Sequence, residues 1–170
     1  QQNMADEIFI HPDSDAVFWG MDFSFNSGPF ISPVMFKEMF LEPNKARAEH
    51  VHKKYGRKIF KHCCGNNKPL LDFFVEMGYD VYHGIQPTAG MDICELKKTH
   101  GDKMTLWGGV AVENLVSGTP EDVRQDVKRA MEHVKPGRRF IMGSSHSIAV
   151  GVKYENYMAM LDEYHKRCDY

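Results

Sequence analysis

The feature that most constrains the fold of this chain is a regular alternation of short apolar segments with helical ones. The predicted strands cover residues 16–19, 58–63, 79–83, 103–107 and 139–142. The predicted helices cover residues 33–55, 69–77, 92–99, 119–134 and 154–166. Such alternation is typical of parallel βα units. The sequence therefore predicts an α/β fold, either an open doubly wound sheet or part of a (β/α)8 barrel.

Capping residues mark several of the helix boundaries. Ser32 followed by Pro33 predicts a helix start, and Thr119 followed by a proline and two acids predicts another. The first of these helices is expected to be interrupted near Pro43, because proline lacks the backbone N–H that an interior turn requires. Residues 26–29 (NSGP) have the composition of a loop.

Length and composition restrict the classes of protein. The chain has 170 residues, enough for one domain, so we expect a single domain over 1–170. Lysine and arginine number 21 against 23 acids, a net charge of −2 that does not favour nucleic acid as a partner. No apolar run approaches the ~20 residues of a membrane helix. No glycine-rich nucleotide-binding motif follows a predicted strand.

The cysteines and the first residues bear on context. Four cysteines, two of them adjacent, do not form the dense pattern of a disulfide framework, which favours a reducing, cytoplasmic setting. The chain begins Gln1-Gln2-Asn3, without an initiator Met or a signal peptide. We therefore expect an internal start within something longer.

Polar residues collect at the predicted carboxyl ends of the strands, where both βα architectures place function. They are Asp22, residues 62–66, residues 83–86, Gly108 with Gly109, and residues 144–146. Asp22 is read as an acid, a metal partner or a capped loop carboxylate.

His62 and Cys64 form an H-x-C pair whose side chains face the same way on an extended strand. Imidazole and thiolate are preferred zinc ligands, and a catalytic zinc has three protein ligands and an open position. His146, after the last strand, is the candidate third ligand. An H-x-C pair also occurs by chance, so a site without metal remains open. Cys63 points the opposite way and is predicted to be a packed thiol.

Four runs of sequence carry a resemblance to a known family. They are MDFSFNSGPFISPVMFKEMFLEP, KHCCGN, LWGGVAVENLVSGTPEDVRQDV and FIMGSSHSIAVGVKYENYMAML, in that order along the chain. Together they resemble the C-terminal half of the uroporphyrinogen decarboxylase superfamily. The resemblance extends from about Ala16 and implies a (β/α)8 barrel, of which this chain carries roughly strands four to eight.

The motifs are closest to the branch of zinc-dependent methyltransferases that act on methylated corrinoid proteins. That branch implies zinc at His62, Cys64 and a third residue, usually Cys, whose place is taken here by His146. Zinc there binds an acceptor thiol as thiolate, which attacks the methyl group of a methylcorrinoid. We expect Asp22 and His146 to be catalytic, and Gly108, Gly109 and Ser145 to bind cofactor.

Two other functions stay open. The decarboxylase branch, which acts on tetrapyrroles, has His at the position of His146 and binds substrate carboxylates largely through residues of the N-terminal half. A non-catalytic half-barrel that binds a corrinoid or a partner is the third reading. Five βα units cannot close an eight-stranded barrel, so we expect a missing N-terminal half or a homo-oligomer that covers the open edge.

Overall fold

The computed structural model describes residues 2–168. The strands are β1 (Ala16–Gly20), β2 (Ser24–Phe25), β3 (Gly28–Pro29), β4 (Lys58–His62), β5 (Val81–His83), β6 (Thr105–Val110) and β7 (Phe140–Ser144). The α-helices are α1 (Gln2–Phe9), α2 (Pro33–Phe36), α3 (Glu42–Tyr55), α4 (Leu71–Glu76), α5 (Ile93–His100), α6 (Val112–Ser117), α7 (Pro120–His133) and α8 (Tyr154–His165). Within 2–168 no helix is long and apolar enough to cross a membrane.

Five of the strands form one parallel sheet in the order β1-β4-β5-β6-β7. Within this sheet, each strand pairs with the strand that follows it in the sequence. This is the arrangement of a barrel segment and not of a doubly wound sheet. Right-handed crossovers between sequential parallel strands place the connecting helices on one face. The prediction of an α/β fold built from barrel-like βα units is confirmed.

The core lies between the sheet and its helices. Ile59, Tyr82 and Leu106 of three neighbouring strands are completely buried against helical side chains such as Phe74. The opposite face of the sheet is open, and Phe18 on β1 is 56% exposed there. The apolar strand β1 is therefore not buried on that face, since it lies at the edge of the sheet and its inner side meets no second layer among residues 2–168.

The long helix predicted over 33–55 begins as expected and continues past its proline. Ser32 accepts a hydrogen bond from the Met35 N–H at 3.2 Å and caps the helix. Residues Lys37–Leu41 form a π-helical turn directly before Pro43, and α3 then runs to Gly56. The helix is therefore not broken at Pro43, since the wider turn and the helix-start position of the proline accommodate its missing N–H.

Further elements differ from the sequence prediction. Residues 26–29 are not wholly loop, because Gly28 and Pro29 pair with Ser24 and Phe25 in a small antiparallel hairpin. Helices α1 and α6 were not predicted. Strand β6 continues through Gly108 and Gly109 to Val110, because the ladder with β7 extends over both glycines. The strand thus ends one residue beyond the glycine pair that the sequence placed at its carboxyl end.

Candidate metal centre

Three side chains predicted as metal ligands converge at the carboxyl edge of the sheet. His62 ends β4, Cys64 follows two residues later, and His146 lies in the loop after β7. One ligand atom from each lies within 4.8 Å of the other two, and all three side chains are half-buried. Tetrahedral zinc separates its nitrogen and sulfur ligands by about 3.5 Å, so a small inward shift would bring the three atoms to bonding positions.

The loop that carries Cys64 is shaped by a buried amide. The side-chain nitrogen of Asn67 donates to the carbonyls of Cys63, Cys64 and Gly65 at 3.0, 2.9 and 3.2 Å. Its oxygen accepts from the Ser24 hydroxyl at 2.9 Å, and the residue is fully buried. Gly65 has φ +83°, and a Cβ there would lie 2.4 Å from the Ser24 carbonyl, so only glycine fits this approach.

Asp22 lies beside the three candidate ligands and contacts one of them. Its carboxylate accepts the Cys64 N–H at 2.9 Å. Partial burial raises the pKa of Asp22, but hydrogen bonds from Cys64 and the nearby His62 and Lys61 outweigh it, so the net shift is downward. Asp22 is thus placed to orient Cys64, and its predicted catalytic role stays a prediction.

The surroundings of Cys64 disfavour its thiolate form. Burial, followed by hydrogen bonding and charge repulsion from Asp22, raises its pKa to about 11. The neighbouring Cys63 is completely buried, and burial raises its pKa to about 12. Cys63 is the packed thiol that the sequence predicted, while the raised pKa of Cys64 favours its protonated form at neutral pH.

Lys61, which the sequence did not single out, holds the segment that carries Asp22. It is 2% exposed, and its ammonium donates to the Met21 carbonyl at 2.7 Å. The ammonium also lies 4.9 Å from the centre of the Phe23 ring. Burial lowers the pKa of Lys61 to about 8. The side chain thereby ties β4 to the segment that presents Asp22.

His83 is the second residue that sequence reasoning missed. It ends β5, pairs in register with His62, and is 5% exposed. The two Nδ1 atoms lie 2.8 Å apart, and the His83 Nε2 lies 3.3 Å from the Ser144 carbonyl oxygen. Burial, followed by the proximity of His62, lowers the pKa of His83 to about 4. Its position at a strand end was visible in the sequence, but its partner was not.

The three residues predicted to bind cofactor have structural contacts. Gly109 packs so closely on α7 that a Cβ would lie 2.8 Å from the Cβ of Ala130. A Cβ at Gly108 would lie 3.5 Å from the side chain of Ile93, which is an ordinary contact distance. Ser145 is buried and its hydroxyl accepts the Val112 N–H at 3.0 Å. These contacts account for Gly109 and Ser145, and contact of any of the three residues with a cofactor stays a prediction.

Comparisons with known proteins bear on the family and the fold of the chain. A family model described as uroporphyrinogen decarboxylase (URO-D) matches residues 10–167. Among solved structures, a methyltransferase from Methanosarcina mazei superposes with a TM-score of 0.72 at 19% identity. The match covers 92% of this chain and 43% of that one, so this chain spans less than half the length of the methyltransferase. No curated protein matches the sequence.

Proposed function

The chain belongs to the uroporphyrinogen decarboxylase family, and on that premise we propose that it is a zinc-dependent methyltransferase. The observation that carries the proposal is the convergence of His62, Cys64 and His146 at the carboxyl edge of the parallel sheet. The methyltransferase from Methanosarcina mazei shares the fold. The methyl donor would be a methylated corrinoid, free or carried by a partner protein, and the acceptor would be a thiol.

The donor set fits zinc. Two imidazoles and one thiolate are ligands that zinc prefers, and three protein ligands leave a fourth position for a substrate. His146 replaces the cysteine that the family resemblance implies, which makes the ligand set less negative by one charge. Zinc, when bound, would act as a Lewis acid that lowers the pKa of a coordinated acceptor thiol.

The residues around the three ligands have definable tasks. Asp22 orients the Cys64 backbone through its hydrogen bond, and Asn67 maintains the turn that aims the Cys64 side chain. Phe18 stacks on His62 at 6.2 Å between ring centroids. It meets Trp107 edge-on at 6.4 Å. These aromatic rings form an apolar floor on the open face of the sheet, which would limit water on that side of the ligands.

Zinc content together with methyl transfer tests the proposal. The protein is expected to bind about one zinc per chain and to methylate a small thiol with methylcobalamin. Cys64→Ser and His146→Ala should lose both properties, whereas Cys94→Ser, a half-buried cysteine on α5, should keep both. A protein that stays free of zinc after zinc is offered would refute the assignment.

Tetrapyrrole decarboxylation is the second candidate, because the matching family model carries that description. It predicts turnover of uroporphyrinogen without metal, once the residues of an N-terminal half are supplied, and no effect of Cys64→Ser. Binding of a corrinoid without any turnover would instead indicate a non-catalytic half-barrel. A cytoplasmic location and association with a second copy belong to the proposal and are not required by the zinc assignment.

A further inference from the structure

We propose that His83 is a positioning residue that fixes the tautomer of His62, so that His62 offers its Nε2 atom to a metal. The inference rests on the proposed function only for its consequence on zinc binding. Its basis is a chain of two hydrogen bonds running from the backbone of β7 through His83 to His62.

The Ser144 carbonyl determines the direction of these two hydrogen bonds. The Ser144 oxygen is a backbone carbonyl and can only accept, so the proton of that bond is on the His83 Nε2. A neutral imidazole carries one ring proton, which leaves the His83 Nδ1 as an acceptor. The contact of 2.8 Å between the two Nδ1 atoms therefore requires the His62 Nδ1 to donate.

This hydrogen bond determines which nitrogen of His62 is free to bind a metal. With its proton on Nδ1, the ring has its free lone pair on Nε2, which is the atom a metal can use. The opposite polarity would direct a lone pair of His83 at the lone pairs of the Ser144 carbonyl. Both nitrogens of His83 are already engaged, which makes it a partner of the ligand and not a fourth ligand.

The surroundings keep His83 in place. It is 5% exposed, and Trp107 packs on its ring at 4.4 Å between centroids with the planes 32° apart. A buried ring held between neighbouring strands has little freedom to turn, so the tautomer of His62 is set before any metal arrives. Histidine ligands with such outer partners commonly lose about 10- to 100-fold in metal affinity when the partner is removed.

Nitrogen NMR of the metal-free protein tests the tautomer directly. In the unmodified chain, long-range couplings of the His62 ring should show the proton on Nδ1. His83→Asn retains a side-chain oxygen near the former Nδ1 and should preserve that tautomer. His83→Leu removes the acceptor, so the His62 proton should move largely to Nε2. The His62 signals are assigned by their loss in His62→Ala.

Zinc affinity gives the second readout. His83→Leu should bind zinc about 10- to 100-fold more weakly, and His83→Asn should recover most of that loss. A His62 proton on Nε2 in the unmodified protein, or a leucine variant with unchanged tautomer and affinity, would overturn the inference. If the leucine variant does not fold, the His62 tautomer measured in the unmodified protein and in His83→Asn still tests the inference. If the protein binds no zinc, the proposed function fails while the tautomer measurement stands by itself.

Discussion

At the residue scale, Asn67 shows how one buried amide organises the candidate site. Its side chain engages three consecutive carbonyls of the loop after β4 and also accepts from Ser24. The Tyr82 hydroxyl lies 3.2 Å from the side-chain nitrogen of Asn67. Buried carbonyls without partners cost free energy, so this residue determines whether the loop bearing Cys64 has one conformation.

Asn67→Ala should lower the free energy of unfolding on the order of 3 kcal/mol, because several buried polar groups lose their partner together. Urea denaturation measures the change. Asn66→Ala is the matched control, since the neighbouring amide only accepts from the Lys68 N–H at 3.3 Å near the surface. The control should shift stability by about 0.5 kcal/mol or less. Equal losses in the two variants would contradict the role given to Asn67.

Sequence reasoning found the ligand candidates but not the residues that support them. His62 and Cys64 are two residues apart in a segment predicted to be extended, so their common direction follows from local geometry. Asn67 and His83 have no such local signature. Their importance depends on hydrogen-bond partners that lie on other strands and loops, which no spacing along the chain reveals.

At the scale of elements, Asp80 joins α3 to the sheet at its amino edge. Its carboxylate accepts from His52 of α3 at 2.8 Å, from the Lys58 ammonium at 2.7 Å and from the Ile59 N–H at 2.9 Å. Burial raises its pKa, but these hydrogen bonds outweigh that effect and lower it below the ordinary value of 3.8. The folded state therefore favours the ionised carboxylate.

Asp80→Asn should reduce the free energy of unfolding by about 2 kcal/mol at neutral pH, through loss of charge-assisted hydrogen bonds. A depressed carboxyl pKa stabilises the fold above the unfolded value and ceases to do so as pH falls through the folded value. The difference from the unmodified protein should therefore close as pH falls below 3.8. Urea titrations at several pH values measure it, with exposed Asp102→Asn as control. A difference that persists at low pH would contradict this account.

Helix α7 begins with the capping arrangement that the sequence predicted. The Thr119 hydroxyl accepts the Asp122 N–H at 3.3 Å, and the Asp122 carboxylate accepts the Thr119 N–H at 2.8 Å. Thr119→Ala should cost about 1 kcal/mol, because a first-turn N–H loses its partner. Thr99→Ala, in the last turn of α5, should change the thermal midpoint much less. Equal shifts in both variants would show that the cap contributes nothing.

At the scale of the whole molecule, the sheet has one covered face and one open face. Phe18 is more than half exposed on the open side, and Phe25 and Val34 are 64% and 67% exposed beyond the carboxyl edge. Among residues 2–168 no further strand pairs with the outer edges of β1 and β7. Unpaired edges and exposed apolar surface favour association.

Sedimentation measured over a wide range of protein concentration tests this expectation. The isolated chain should associate, and Val34→Lys should weaken the association by adding charge to the apolar surface. Lys53→Ala, on an exposed part of α3, is the control and should leave the association unchanged. A chain that stays monomeric at every concentration would contradict the expectation that the exposed apolar surface causes association.

The alternation of strands and helices could be predicted from sequence alone, as could most helix starts and the H-x-C pair of His62 and Cys64. Each of these depends on interactions between residues close in the chain. Three long-range contacts are visible only in the folded structure: His146 meets that pair, His83 lies between the Ser144 carbonyl and His62, and the Lys61 ammonium reaches the Met21 carbonyl. These contacts join segments more than twenty residues apart. Sheet register and loop packing, and not local preference, bring such segments together.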